Sequence, residues 1–296
     1  MKNKIRTTFF FLCILLPLFV LGNSLAKRTA EKLSKGDRAV LVRLFKESGY
    51  DDAYLKSIFK DKRIRFMPGL VKQNVINREN PFNYKQFLEP ASINRAKNFL
   101  RKWRTRLKNA EEKYGVDKEI IAAVCLVESR FGRYQGTDSV MSVFSSILLE
   151  DQGKRKEKIV KSLKTKEEKE KYLKRLKKKA GWAKGEILAL LEMQKKHKVN
   201  IFKLKGSYAG AFGIPQFLPS SYLHWACSAD DGARPNLAYV PDVIVSVSNY
   251  LKAHGWKKGQ TKEKNRKAVW AYNHSRVYVE TILEIADKLR ENTQQK

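Results

Sequence analysis

Cysteine is nearly missing, with three residues in 296: Cys13, Cys125 and Cys227. Cys13 lies in an N-terminal apolar run, and the two that remain cannot build a disulfide framework, so the fold must rest on its core. Cys125 reads as a small apolar residue within a core helix, and free thiols are expected in preference to a Cys125–Cys227 bond. Alternating runs of β-branched residues are scarce, which excludes an all-β architecture. Acids are few: 30 Asp and Glu stand against 61 Lys and Arg, a formal net charge of +31. Such a charge attracts polyanions without saying which. Only residues 9 to 21 form a long apolar run, short for a membrane span of about 20 residues.

That run follows Lys2, Lys4 and Arg6 and precedes the small residues Ser24 and Ala26, the pattern of a secretory signal over residues 1–26. An uncleaved anchor is the alternative. Export would place the mature chain, 27–296, in the periplasm or cell envelope. There a basic protein meets anionic envelope polymers or a membrane surface. Nucleic acid is an unlikely partner, because the basic residues are concentrated in one segment and no nucleic-acid motif accompanies them. No stable protein partner is inferable.

Helical periodicity and caps dominate the remainder, so the class is mainly α. The pattern predicts helices over 37–48, 51–60, 92–114, 117–131, 139–150, 219–227, 241–254 and 276–292, and a charged helical stretch over about 154–198. Residues 61–91, with Pro68, Pro81 and Pro90, read as an extended connection across the surface. Residues 153–185 hold fifteen Lys or Arg and four acids. Ile159, Leu163, Tyr172 and Leu176 within them predict an amphipathic surface hairpin, either a solvated face or an electrostatic foot on a polyanion.

Three stretches carry candidate chemistry. In "AAVCLVESRFGRYQG", residues 122–136, Glu128 shares a helix face with Ile121 and Val124, so it should be half buried. Burial and the C-terminal end of a helix both disfavour the ionised carboxylate and raise its pKa, as a general acid requires. A structural Glu paired with Arg130 or Arg133 is the alternative. The second stretch, "KGSYAGAFGIPQFLPSSY" (205–222), combines Gly206, Gly210 and Gly213 with aromatics and Gln216. Glycines let backbone approach a ligand, and an amide reads hydroxyl or acetamido groups. The third, "AYNHSRVY" (271–278), offers Tyr272 and Asn273 at the entrance to the last helix, as site residues or simple caps.

The order "VESRFGRY", "GSYAGAFGIPQFLPSSY", "PDVIVSVSNYLKAHGW", "YNHS" resembles the lytic murein transglycosylase B family over about residues 36–290. The resemblance implies a lysozyme-like helical fold, similar to goose-type lysozyme. It also implies cleavage of the MurNAc–GlcNAc bond of peptidoglycan without water as nucleophile. By the same resemblance Glu128 is the catalytic acid, and Ser207, Gln216, Tyr250, Tyr272, Asn273 and Tyr84 line the saccharide groove. Lys154 and Arg155 fall near a basic pair that faces the stem peptide. Peptidoglycan strands are then the partner, with other anionic envelope polymers left open.

The resemblance has two departures. The Lys-rich segment is expanded. Family members often carry an acidic calcium loop, but in "ACSADDGARPNLAYVPD" only Asp231, Gly232 and Asp242 fall in recognisable places, while Cys227 and Ala229 stand where oxygen ligands are expected. Calcium takes six or more oxygens, so no metal site is expected, and a one-acid mechanism needs no cofactor. An ordinary hydrolase would need a second carboxylate, and Asp138, Asp230, Asp231 and Asp242 stand in no setting that demands it. A hydrolytic muramidase on the same fold and a noncatalytic cationic wall-binding protein are the competing readings.

Overall fold

The computed structural model describes residues 29–75, 83–230 and 232–291. The signal expected over residues 1–26 lies outside these. The described residues form thirteen α-helices: α1 (Lys35–Phe45), α2 (Asp52–Phe59), α3 (Pro68–Val75), α4 (Pro90–Lys102), α5 (Arg104–Tyr114), α6 (Lys118–Ser129), α7 (Val140–Glu150), α8 (Gly153–Ser162), α9 (Lys166–His197), α10 (Pro219–Trp225), α11 (Val240–Ala253), α12 (Lys262–Tyr272) and α13 (Arg276–Glu291). Two short antiparallel ribbons complete the fold. β1 (Glu31–Lys32) pairs with β2 (Arg65–Phe66), and β3 (Asp138–Ser139) with β4 (Lys205–Gly206).

The sequence explains which helix is central. From Ile120 to Val127, α6 is apolar all round, and a helix with no polar face must be enclosed on every side. Every residue from Glu119 to Ser129 is buried, among α13, α4, α5 and α11. The second enclosed helix, α7, packs along α9, whose Ile187, Leu190, Leu191 and Met193 are buried while its N-terminal half carries the lysines. The Lys-rich segment is thus the outer part of a core helix plus α8, a hairpin as expected. Thr165 and Glu168 form a capping box that starts α9 afresh after the turn at residues 163–165.

Several expectations are corrected. Of the stretch 61–91 expected to be an extended connection, residues 76–82 with Pro81 lie outside the described residues, and the rest folds back: α3 buries Leu70, Val71 and Val75, and a 3₁₀ turn over Tyr84–Phe87 buries Tyr84 and Phe87. Pro68 and Pro90 are the first residues of α3 and α4, where a missing N–H costs no helix bond. The helix expected over 92–114 breaks at Trp103, because α4 follows α6 and α13 while α5 turns onto α11. The chain from 262 to 272 is a helix that the apolar pattern did not mark. Cys125 and Cys227 are free.

Candidate active site

The last turn of α6 presents Glu128, and the chain leaves it through left-handed residues, Arg130 at φ 50° and Phe131 at φ 60°. The helix therefore ends at Ser129, two residues before the expected end. Ser129 Oγ donates to Ile214 O at 2.7 Å and accepts from Gly132 N at 2.9 Å, tying the end of α6 to the glycine-rich loop.

Glu128 is buried, not half buried, with 1% of its surface exposed. It pairs with neither Arg130 nor Arg133. Its Oε1 accepts the hydroxyl of Tyr278 at 2.6 Å, and Oε2 has no partner among the described residues. Burial pushes its pKa up to about 8, against the opposing pull of the Tyr278 bond. The carboxyl is therefore held protonated at neutral pH. Sequence reasoning missed Tyr278, which closes the stretch "AYNHSRVY". Tyr278 stands at i, i+4 and i+7 with Ile282 and Ile285, all buried, a spacing that marks it as core-facing but not as the partner of Glu128.

The residues expected to line the groove come from the 3₁₀ turn, the glycine-rich loop, α11 and α12 with its cap. The ring of Tyr84 meets that of Tyr278 edge-on, at 6.1 Å and 85°. Tyr272 donates to Pro215 O and Tyr250 to Ala271 O, each at 2.7 Å. The rings of Tyr250 and Tyr272 lie 4.8 Å apart, with Phe217 beside both. Gln216 takes a left-handed φ of 51°, and its amide nitrogen donates to Gly213 O at 2.8 Å. Ser207 Oγ accepts from Ala211 N at 3.2 Å, and Asn273, buried, caps α12. The glycines also have a packing role. A Cβ on Gly206 would fall 2.2 Å from Ala211 O, and one on Gly210 would fall 2.3 Å from the Phe144 ring, so both let the loop fold closely onto the protein.

The site therefore holds a buried acid, a phenol bonded to it and an aromatic loop tied to the end of its helix. Residues 35–264 match the family described as Transglycosylase SLT domain. The chain belongs to that family. The Escherichia coli (strain K12) membrane-bound lytic murein transglycosylase B is 31% identical over 175 residues, 59% of this chain. The match spans 42% of that relative's length. Among solved structures, soluble lytic transglycosylase SltB1 from Pseudomonas aeruginosa superposes with a TM-score of 0.70 at 21% identity, over 88% of this chain and 99% of its own. SltB3 of the same organism, solved with NAG-anhNAM-pentapeptide, gives 0.67 at 19%, over 86% and 78%. These likenesses establish the lysozyme-like helical fold for this transglycosylase SLT domain.

Lys154 and Arg155 are not brought to Glu128 by any contact among the described residues. Lys154 is exposed on α8, whereas Arg155 pairs with Asp37 at 3.1 Å and lies 3.8 Å from the centroid of the Phe66 ring. The loop after α10 fits calcium poorly. Asp242, buried, accepts from Ala229 N at 2.8 Å and Asn236 N at 2.7 Å, so its oxygens hold the loop's own backbone. Cys227 and Ala229 add no side-chain oxygen, and Asp231 lies outside the described residues. Elsewhere the acids Glu111, Asp117 and Glu119 gather within 4.8 Å, but Lys118, Lys258 and Arg290 neutralise them.

Proposed function

We propose that the chain is a peptidoglycan lytic transglycosylase, which cleaves the MurNAc–GlcNAc β-1,4 bond and leaves 1,6-anhydro-MurNAc ends. The observation that carries the reading is Glu128, a carboxyl kept protonated by burial and hydrogen-bonded, among the described residues, only to a phenol. One acid serves both halves of the reaction. As acid, Glu128 gives its proton to the glycosidic oxygen while the C1–O bond breaks, and the substrate's own 2-acetamido oxygen stabilises C1. The resulting carboxylate then takes the proton of the C6 hydroxyl as O6 bonds to C1, which closes the anhydro ring and restores the acid.

An ordinary hydrolase would need a second carboxylate free to work across the cleft, and two of the candidate acids are engaged elsewhere. Asp242 is occupied by backbone amides, and Asp230 faces Arg106. Family membership and the anhydro product held by SltB3 support the same chemistry. A peptidoglycan substrate accords with a location in the cell envelope. No described helix is long and apolar enough to cross a membrane. Mass spectrometry of fragments released from purified peptidoglycan tests the reading. Anhydro ends, one water lighter than reducing ends, are expected, and reducing ends would make the protein a hydrolytic muramidase.

A further inference from the structure

Between α9, α10 and the turn before α2 lies a cavity of about 580 Å³ that shares no residue with the surroundings of Glu128. Its size is that of a ligand site. Gly181, Trp182 and Gly185 of α9 line it with Tyr50 and Leu223, Lys178 and Lys179 join them, and its two acids are engaged, Glu186 by Ser220 and Glu192 by Lys196.

Two features there are unexplained by the fold. Glycine weakens a helix interior, yet a Cβ on Gly181 or Gly185 would meet nothing within 4 Å, so no packing among the described residues asks for either. Their effect is to leave an open floor. In addition, Lys171, Lys174, Arg175, Lys177 and Lys178 stand exposed along one stretch of α9, and none has an ion pair among the described residues. Like charges three and four residues apart destabilise a helix. This one is nevertheless seated firmly, with Tyr172, Leu176, Ala180 and Ala183 buried and the Tyr172 hydroxyl donating to Glu150 at 3.1 Å. The ammonium of Lys179 lies 4.6 Å from the centre of the Trp182 ring, which holds a cation against the cavity wall.

We propose that this cavity and its row of cations form a second, noncatalytic site for peptidoglycan. A saccharide–peptide segment lies over Gly181 and Gly185 against Trp182 and Tyr50, and its carboxylates meet the lysines. The inference rests on peptidoglycan as the substrate. Repeated carboxylates on an insoluble polymer engage a fixed cationic row many times over, and two points of attachment keep the enzyme on the wall between cleavages.

The test is retention on insoluble sacculi, measured with Glu128→Gln protein so that nothing is cut. Gly185→Leu fills the cavity from a position with open space, and Lys174→Glu with Lys178→Glu reverses the row. Each is expected to weaken retention at low salt by roughly tenfold, by removing one of two attachments, and Gly185→Leu is expected to keep or raise Tm. In protein with Glu128 intact, the same substitutions should leave cleavage of short soluble fragments unchanged. Equal retention of parent and both variants at matched folding overturns the proposal. So does retention on anionic lipid vesicles that tracks the substitutions while sacculus binding does not. Failure of the catalytic reading looks different: no fragments are released by protein with Glu128 intact, whatever the retention assay gives.

Discussion

Tyr278 on α13 donates its hydroxyl hydrogen to Oε1 of Glu128 on α6, at 2.6 Å and across 150 residues of sequence. The bond stabilises the carboxylate, whereas burial stabilises the acid, and burial wins. Among the described residues Glu128 thus has a single hydrogen-bond partner, whose removal has a defined sign. In Tyr278→Phe the carboxylate loses its donor, so the pKa of Glu128 rises and the alkaline limb of the kcat profile moves to higher pH. Turnover at pH 7 should fall by roughly tenfold or more, the worth of one hydrogen bond to a charged group. A pH–rate profile checks both effects, and an unshifted alkaline limb would show that the phenol only fills space.

Glu128→Gln should fold and lose at least roughly 10³-fold in turnover, since the amide keeps the shape but cannot cycle a proton. Its stability gives a second readout with an opposite sign. A buried carboxyl whose folded pKa is about 8 binds a proton more tightly in the native state than in the unfolded one, where the ordinary value is 4.5. Native stability from this group is full below pH 4.5 and is lost as pH rises through 8. The Gln variant lacks that loss, so it should be the more stable protein at pH 9, by a few kcal/mol to order of magnitude. Melting curves at pH 5 and pH 9 measure the difference.

The helix that carries the acid was legible in the sequence because its apolar residues run all round it, and the same fact explains why half burial was an underestimate. A one-sided periodicity argument assigns Glu128 to a face, but α6 has no solvent face to share. What stayed hidden has equally local causes. The chain over 262–272 buries only Asn265, Ala268, Val269 and Tyr272, too few for a visible stripe. Pro68 and Pro90 were read as breakers although a first-turn proline starts a helix. The role of Gly206 and Gly210 depends on Ala211 and Phe144 lying against them, a tertiary fact with no signature in spacing. The same holds for the pairing of Glu128 with Tyr278.

The loop after α10 makes a prediction about metal. Asp242 bridges Ala229 N and Asn236 N, the work a bound ion would do by drawing loop oxygens together. Chelator should therefore leave Tm and activity unchanged, since an ion bound to the native state alone would stabilise it by mass action. Asp242→Ala should lower stability by about 1.5–3 kcal/mol, the range for hydrogen bonds to a charged group, and added calcium should not restore it. A chelator-dependent fall in Tm reversed by calcium would contradict this account of the loop.

Arg155 separates a structural role from the stem-peptide role that the resemblance implied. Its guanidinium joins α8 to Asp37 of α1 and to Glu31 of β1, and covers the Phe66 ring of β2. Lys154, one residue earlier, is exposed and has no such contacts. If the pair serves the fold, Arg155→Ala should lower stability by about 1–2 kcal/mol, a partly exposed ion pair together with a cation–π contact, while Lys154→Ala should change it by less than about 0.5 kcal/mol, as exposed substitutions do. Neither should alter the ratio of KM for peptide-bearing strands to KM for strands stripped of peptide. If the pair reads the peptide, both substitutions raise KM on peptide-bearing strands alone and Tm stays level. Thermal melts and paired KM measurements on the two strand preparations therefore give opposite patterns for the two roles, and the contacts of Arg155 favour the first.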